Sequence, residues 1–188
     1  MTDEITAQDS GSTFTPHAEG QFAAVCVDVV DLGQRVEQFA GKPPRLAPKC
    51  ALVFLTTAAD KSDIAAEVTV SMGEKANLRI LLESWRGKSY TPEQAAAGVP
   101  LHKLVGQPAL LSVEHKRSGK GKTYAKIKTI SPLPAGLPAP SADGYKRPDF
   151  WAERKKQYAE EAARFQATVV ARSEEPVQPV EEDDDLPF

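Results

Sequence analysis

The sequence has few of the features that mark an exported or membrane-bound protein. It contains only two cysteines, Cys26 and Cys50, which are too few for a disulfide framework and too far apart for a C-x-x-C pair. No apolar run approaches the roughly 20 residues that span a bilayer. The N-terminus lacks the basic and apolar regions of a signal peptide. These absences predict a reduced cytoplasmic protein with no membrane segment.

Clustered catalytic or metal-binding groups are also missing from the sequence. The three histidines, His17, His102 and His115, are scattered, and none has a second ligand at the spacing of a zinc site. No catalytic triad stands out, and no group of carboxylates is placed to hold Mg²⁺ for a nuclease or recombinase. The sequence therefore predicts a protein that is not an enzyme and that uses no cofactor or metal.

Charge is distributed unevenly along the chain. The whole sequence has 26 acidic and 23 basic residues, a net charge of −3 that by itself argues against nucleic-acid binding. Residues 1–20 contain four acids and residues 173–188 contain seven, and neither segment contains a lysine or arginine. Residues 21–172 therefore hold 15 acids and all 23 bases, a net charge of +8. A basic body with acidic ends predicts a nucleic-acid contact and an acidic interaction tail.

The pattern of apolar residues predicts a mainly β (α+β) body of five strands. The strands are expected over 21–30 with a bulged extension to residue 39, and over 50–57, 64–72, 108–116 and 122–130. Between the third and fourth strands, a helix is predicted with Asn77 as its N-cap and Gly87 as its end. A capping box at Thr91 and Gln94 then opens a second helix. This is the order of a five-stranded OB-fold barrel, although a general α+β domain has the same order.

The remaining segments are predicted to be a leader, a linker, a helix and a tail. Residues 1–19 have few apolar side chains and predict a disordered leader ahead of a barrel over 20–134. Prolines indicate a linker over 135–148, an amphipathic helix follows over 149–171, and an acidic tail covers 172–188. The helix must pack on the barrel or on another subunit, which leaves a homo-oligomer open. Its apolar stripe consists of Trp151, Tyr158, Ala162, Phe165 and Val169.

The predicted fifth strand is the strongest candidate for a nucleic-acid contact. With a period of two, its tyrosine and three lysines fall on one face, and the small or apolar residues from Thr123 to Thr129 fall on the other. A single-strand groove requires cations for the phosphates and a flat ring for a base, although lysines also guard ordinary edge strands. The predicted contacts on this strand and its hairpin are Lys116, Arg117, Lys120, Lys122, Tyr124, Lys126 and Lys128.

Other candidate contacts lie outside this hairpin. Arg86 and Lys88, at the end of the first helix, are expected to add phosphate contacts, and Tyr90 is expected to add a stacking ring. Trp85 shares the apolar face of that helix and is assigned to the core. Phe54, on the second strand, is assigned either to the core or to a stacking platform.

The last six residues carry the most specific signal in the sequence. The segment reads Asp183-Asp-Asp-Leu-Pro-Phe188. It resembles the tip of bacterial single-stranded DNA-binding proteins, Asp-Asp-Asp-Ile-Pro-Phe, with Leu186 in place of Ile. The resemblance implies that Phe188 anchors the tip in basic-rimmed pockets of replication and repair proteins. The implied partner contacts are Asp183, Asp184, Asp185, Leu186, Pro187 and Phe188.

The body is similar to phage and prophage OB-fold single-stranded DNA-binding proteins over about residues 20–134. The similarity lies in Asn77-Leu-Arg-Ile-Leu-Leu-Glu-Ser-Trp-Arg-Gly-Lys88, in Leu104–Leu111 and in Lys122–Pro134. The barrel sequence does not resemble the housekeeping bacterial protein, and the linker is short and helical instead of long and rich in Gly and Gln. The tetramer of the housekeeping protein is therefore not implied.

These features together predict a non-enzymatic protein that binds single-stranded DNA without sequence preference. It is expected to be encoded by a phage or prophage and to act in the cytoplasm of a bacterial host cell. It is expected to protect DNA in replication, recombination and repair, and to recruit host or phage proteins through the tip. Two alternatives stay open. One is an RNA-binding OB module, because nothing in the sequence reads a 2′-OH. The other is an interaction adaptor whose barrel is only a scaffold.

Overall fold

A computed structural model describes residues 15–59, 63–119 and 121–173 of the chain. Five strands, three α-helices and one 3₁₀ turn follow one another in these residues. In chain order they are β1 (Gly20–Glu37), β2 (Arg45–Thr56), β3 (Asp63–Thr69), α1 (Asn77–Arg86), α2 (Pro92–Ala97), the 3₁₀ turn (Leu101–Leu104), β4 (Pro108–Arg117), β5 (Thr123–Ser131) and α3 (Phe150–Ser173). None of the helices in these ranges is long and apolar enough to cross a membrane.

The strands form one antiparallel open sheet in the order β3-β2-β1-β4-β5. Strand β4 pairs antiparallel with both of its neighbours. Leu111 of β4 lies opposite Phe22 of β1 on one side and opposite Ile130 of β5 on the other. The two edge strands, β3 and β5, contact each other, and α1 contacts both. The predicted five strands and the mainly β (α+β) class are confirmed. In chain order, α1 and α2 follow β3 and precede β4.

The described residues divide into two compact units. The first unit contains residues up to Val30 and residues from Cys50 to Arg147, and the second contains Asp31–Lys49 and the chain from Pro148 onward. Strands β1 and β2 contribute to both units, because each strand runs past the boundary. The second strand begins at Arg45, earlier than predicted, and the two prolines precede it in the loop.

The core of the first unit is built from the inward residues of all five strands and from one face of α1. Leu78, Leu82 and Trp85 are the buried residues of α1, as the predicted spacing requires. The Trp85 ring lies 5.4 Å from the Phe54 ring. The strands contribute Ala24, Cys26, Cys50, Leu52, Phe54, Ile64, Val68, Ala109, Leu111, Val113, Ile127 and Ile130.

The ends of the two short helices follow local sequence signals, with one correction. Gly87 caps α1 in the left-handed conformation at φ 65°, which only glycine adopts without strain. The predicted capping box of α2 is present between Thr91 and Gln94. The prediction that Asn77 is the N-cap of α1 is wrong, because the helix already includes Asn77 and the N-cap is Ala76, without a side-chain hydrogen bond.

The second unit contains the outer halves of β1 and β2 together with α3. Helix α3 corresponds to the helix predicted over 149–171. Trp151, Tyr158 and Ala162 are buried, as are Leu32 and Ala47. Their spacing of seven and four residues places the three helical side chains on one face. The predicted stripe does not continue to the helix end, because Val169 is 51% exposed.

Polar contacts tie α3 to β1 within this unit. Arg35 donates a hydrogen bond to the Tyr158 hydroxyl at 3.2 Å, and its guanidinium lies 4.9 Å from the centre of that ring. Lys155 donates to the Asp31 carboxylate at 2.6 Å. The helix therefore packs against an element of its own chain, one of the two outcomes that its apolar stripe left open.

Candidate nucleic-acid interface

The β4–β5 hairpin brings the predicted basic residues of two strands onto one face. Lys116 lies directly opposite Tyr124, and Glu114 lies opposite Lys126. Cross-strand partners share a face of the sheet, so these four side chains form one group. The turn is closed by a backbone hydrogen bond from Ser118 to the Lys122 carbonyl at 2.8 Å.

This group, with Lys122 and Lys128, is the hairpin face, and its cations are on the surface. Lys116, Lys122, Lys126 and Lys128 are exposed. Tyr124 is 41% exposed and stands among them as the aromatic side chain of the face. Ile127 points the other way and is buried in the core. The face therefore offers solvated ammonium groups around an accessible ring.

A β-bulge changes the predicted alternation near the end of this strand. Ser112 pairs with Thr129 and Val113 pairs with Ile127, so Lys128 has no partner in the ladder. The extra residue inverts the sheet faces beyond it, and Ile130 becomes the next buried residue. The prediction that Thr129 shares the apolar face is therefore wrong, since Thr129 is exposed beside Lys128.

One carboxylate forms ion pairs with two lysines of the hairpin face. Glu114 pairs with Lys116 at 3.1 Å and with Lys128 at 3.9 Å. The hydrogen bond from Lys116 is the main cause that lowers the pKa of Glu114 below its usual value, and the charges of Lys116, Lys128 and Lys126 act in the same direction. Glu114 thus stays ionised at neutral pH and offsets one of the four positive charges.

Two of the predicted contacts, Phe54 and Arg117, do not join this face. Phe54 is fully buried, packed on Trp85 in the core, so it does not offer a stacking ring. Arg117 is exposed, but it pairs with Thr123 and so belongs to the opposite face of the ladder. Lys120 lies outside the described residues.

Arg86, Lys88 and Tyr90 form a second group, which we call the α1-end cluster. The Arg86 guanidinium stacks over the Tyr90 ring at 4.1 Å from its centre. Arg86 and Lys88 are exposed, and Tyr90 is half-buried against the core. Arg86 and Tyr90 line a groove together with Pro132, just past the end of β5. At a rise of about 3.3 Å per residue, β5 separates Tyr124 from Pro132 by at most roughly 26 Å.

The backbone of Tyr90 is fixed from both sides by a pair of charged residues on α1. The Tyr90 N–H donates to Glu83 at 2.9 Å, and its carbonyl oxygen accepts from Arg79 at 3.1 Å. Arg79 also donates to Glu83 at 2.8 Å. The Tyr90 N–H and then Arg79 lower the pKa of Glu83, because both stabilise its ionised form. The backbone of Tyr90 is therefore fixed by contacts that do not involve its ring, which packs against the core and under Arg86.

A candidate contact that the sequence prediction missed lies in the β1–β2 loop of the second unit. Phe39 is 52% exposed, and the Arg45 guanidinium lies 5.7 Å from its ring centre. Lys42 donates its backbone N–H to the Phe39 carbonyl and closes a tight turn. The sequence contains a signal for this contact, an aromatic residue followed by Lys42 and Arg45. The prolines between these two cations predict only a loop.

The tip residues Asp183–Phe188 lie outside the described residues. Within the described ranges, no group of three or more His, Cys, Asp or Glu side chains is placed to hold a metal ion. No protein-family model and no curated protein matches the chain. The candidate interface therefore depends on the geometry of the hairpin face and on the sequence resemblance.

Proposed function

We propose that the protein binds single-stranded DNA without sequence preference and that the hairpin face is its main contact. The observation that carries this proposal is the exposed Tyr124 ring among the four exposed lysines of the hairpin face. The strand order β3-β2-β1-β4-β5, with β3 against β5, supports an OB-fold as the architecture of the first unit. Oligonucleotide binding is a common use of that fold.

The mechanism is phosphate neutralisation combined with base stacking. Lysines on the hairpin face displace counterions from the DNA backbone, which gives a favourable entropy that falls with added salt. If the protein neutralises about five phosphates, log affinity is expected to fall against log salt with a slope near −3.5. Tyr124 stacks on one base and contributes about 1–3 kcal/mol. Phosphate contacts and ring stacking are available to every nucleotide, so this mode of binding tolerates any sequence.

The decisive experiment is a fluorescence titration of labelled oligo-dT with the full chain at several salt concentrations. The double variant Tyr124→Ala with Lys126→Ala is expected to bind at least tenfold more weakly, because it loses one stacking ring and one phosphate contact. Lys75→Ala is the matched control, since Lys75 is an exposed lysine of the first unit outside the hairpin face.

Unchanged affinity in a folded double variant would exclude the hairpin face as the site. Absence of any salt-sensitive binding would favour the adaptor alternative. Preference for poly-U over oligo-dT in competition would favour the RNA-binding alternative.

We further propose that the acidic tip recruits host or phage replication and repair proteins. The support is the resemblance of Asp183-Asp-Asp-Leu-Pro-Phe188 to the tip of bacterial single-stranded DNA-binding proteins. Deletion of Phe188 is expected to leave oligo-dT affinity unchanged and to abolish the capture of such proteins in a pull-down. Recovery of the same proteins by the deletion variant would contradict the proposal.

A further inference from the structure

Most of the hairpin face lies on a part of the β4–β5 hairpin that extends past β1. The ladder between β1 and β4 ends at Gly20, which lies opposite Val113. The ladder between β4 and β5 continues beyond that point to Arg117 and Thr123. Because a two-stranded ribbon is only marginally stable in water, this extension needs support from another element. It carries Glu114, Lys116, Lys122, Tyr124 and Lys126 of the hairpin face.

Residues 15–19, which we call the strap, contact β4 at the point where its pairing with β1 stops. Gly20 has a φ of 135°, a backbone conformation that favours glycine, and the ladder does not continue into the strap. The Glu19 carboxylate accepts a hydrogen bond from the His115 backbone N–H at 2.6 Å. The His115 ring donates through Nε2 to the His17 carbonyl at 2.8 Å. The strap therefore binds both the backbone and the side chain of one β4 residue.

The strap is anchored on the sheet through His17. This side chain is 2% exposed, and its Nε2 lies 2.7 Å from the Thr56 hydroxyl at the end of β2. Its Nδ1 donates to the Ala18 carbonyl at 2.9 Å. The ring also packs edge-on against the Phe22 ring of β1, with 4.9 Å between the ring centres. The anchor, the strap and the hairpin all belong to the first unit.

The β4 residue that the strap holds lies between two members of the hairpin face. His115 follows Glu114 and precedes Lys116 in the chain, and it pairs with Ala125 of β5. Because successive residues of a strand point to opposite faces, the His115 side chain leaves the hairpin face uncovered. A surface whose backbone is ordered before the ligand arrives loses less conformational entropy on binding.

We propose that the strap positions the hairpin face for DNA, with Glu19 and His115 as positioning residues and His17 as the anchor. This inference rests on the DNA-binding function proposed above and adds a set of residues that the sequence prediction did not assign. The three side chains act through the β4 backbone and not through contact with DNA. Two of them, His17 and His115, are 98 positions apart in the chain, so only the fold brings them together.

Hydrogen exchange of the full chain without DNA tests whether the strap orders the hairpin. Glu19→Ala removes the acceptor of the His115 N–H, whereas Glu19→Gln has the same charge as Glu19→Ala but keeps an acceptor oxygen. Amides of residues 114–117 and 123–126 are expected to exchange about threefold faster in Glu19→Ala than in Glu19→Gln, as the loss of one hydrogen bond predicts. Amides of the core residues Leu52 and Leu111 should exchange at the same rate in both.

Equal hairpin exchange in the two Glu19 variants would show that the strap does not order the hairpin. Equally faster exchange of the core amides would show that the strap supports the whole fold instead of this site. Either result would overturn the proposal.

A fluorescence titration with labelled oligo-dT tests whether this order matters for DNA. Glu19→Ala is expected to bind about threefold more weakly than Glu19→Gln, with the same slope against salt, because the two variants have the same charge and the same phosphate contacts. The matched controls are Glu74→Ala and Glu74→Gln, since Glu74 is an exposed glutamate of the first unit outside the strap. These two are expected to bind with equal affinity. Equal affinity of the two Glu19 variants, despite different exchange rates, would contradict a positioning role.

A second pair of variants tests the His115 side chain. His115→Gln keeps a side-chain N–H that can reach the His17 carbonyl, whereas His115→Ala does not. We expect His115→Gln to restore most of the oligo-dT affinity that His115→Ala loses. If both variants bind equally weakly, the hydrogen bond to His17 is not what His115 contributes, and its assigned role is wrong.

The two measurements keep this proposal distinct from the DNA function. If the unmodified chain does not bind oligo-dT, the DNA function fails, and with it the purpose assigned to the strap. The exchange experiment contains no DNA, so it decides by itself whether the strap orders the hairpin.

Discussion

The hairpin face and the α1-end cluster contain similar residue types but differ in burial. Both combine a tyrosine with basic side chains in the first unit. On the hairpin face, Tyr124 is 41% exposed on a sheet surface and its neighbours are solvated lysines. At the groove, Tyr90 is half-buried, its backbone is bracketed by Arg79 and Glu83, and an arginine stacks on its ring. Burial, more than composition, therefore distinguishes the two regions, because the tyrosine ring is exposed on the hairpin face and half-buried beside α1.

The largest expected difference between the two regions is in stability. Trp85 is only 7% exposed and forms both the groove floor and part of the core. Trp85→Ala is expected to lower the free energy of unfolding by about 3–5 kcal/mol, because it leaves a cavity. Tyr124→Ala is expected to lower it by no more than about 0.5 kcal/mol, as surface changes usually do.

Urea denaturation followed by circular dichroism measures both values. A large loss in Tyr124→Ala would mean that Tyr124 supports the fold, and the hairpin face would then no longer contrast with the groove.

The carboxylates of Glu114, on the hairpin face, and of Asp28, which supports the fold, are expected to contribute differently to stability at low pH. Asp28 accepts two hydrogen bonds from Arg147, each at 2.7 Å, and these are the main cause that lowers its pKa. A lowered pKa in the folded state contributes stability above the pKa of the unfolded chain, and that stability is lost as pH falls through the folded value. Asp28→Asn is therefore expected to lower stability at neutral pH by about 1 kcal/mol, since half-exposed Arg147 is partly screened.

The difference between Asp28→Asn and the unmodified protein should shrink as the pH falls below the ordinary aspartate value of 3.8. Glu114→Gln is expected to show a smaller difference of the same sign, because the pKa of Glu114 is also lowered but its lysine partners are exposed and screened. Chemical denaturation at a series of pH values gives the comparison. A constant difference down to low pH would show that the ion pair is not what Asp28 contributes.

The smallest expected effect is a difference between two glutamates. Glu114→Gln removes the carboxylate of the hairpin face and is expected to raise oligo-dT affinity about two- to threefold at low salt. Glu83→Gln weakens the contacts that hold the Tyr90 backbone, away from the hairpin face, and is expected to change oligo-dT affinity less than twofold. A fluorescence titration of both variants gives the comparison. If Glu83→Gln raises the affinity as much as Glu114→Gln does, the two regions are coupled and the comparison fails.

Local rules predicted most of the secondary structure but only part of the site. The Leu78, Leu82 and Trp85 spacing predicted the buried face of α1, and Thr91 with Gln94 predicted the start of α2. The Lys–Tyr alternation of β5 predicted an exposed basic face as far as Ile127. Phe54 was assigned to either environment because an apolar strand has the same pattern whether a face meets the core or a ligand.

Long-range contacts decided the points at which these rules failed. The bulge at Lys128 depends on how β5 registers against β4, and a shift of one residue inverts the faces without any local signal. The bracket around Tyr90 joins residues seven and eleven positions apart that no recognised motif connects.

By itself, the sequence determined the separation of a +8 body from acidic ends, the order of strands and helices, and the acidic and apolar composition of the tip. These follow from composition and short-range periodicity, which depend on residues close together in the chain. Only the tertiary structure decided that Phe54 is core, that Tyr124 is on the surface among lysines, and that Arg86 and Tyr90 border an apolar groove. The physical reason is that burial and register are set by contacts between distant segments. The free energy of those contacts depends on both segments, so it cannot be read from either one alone.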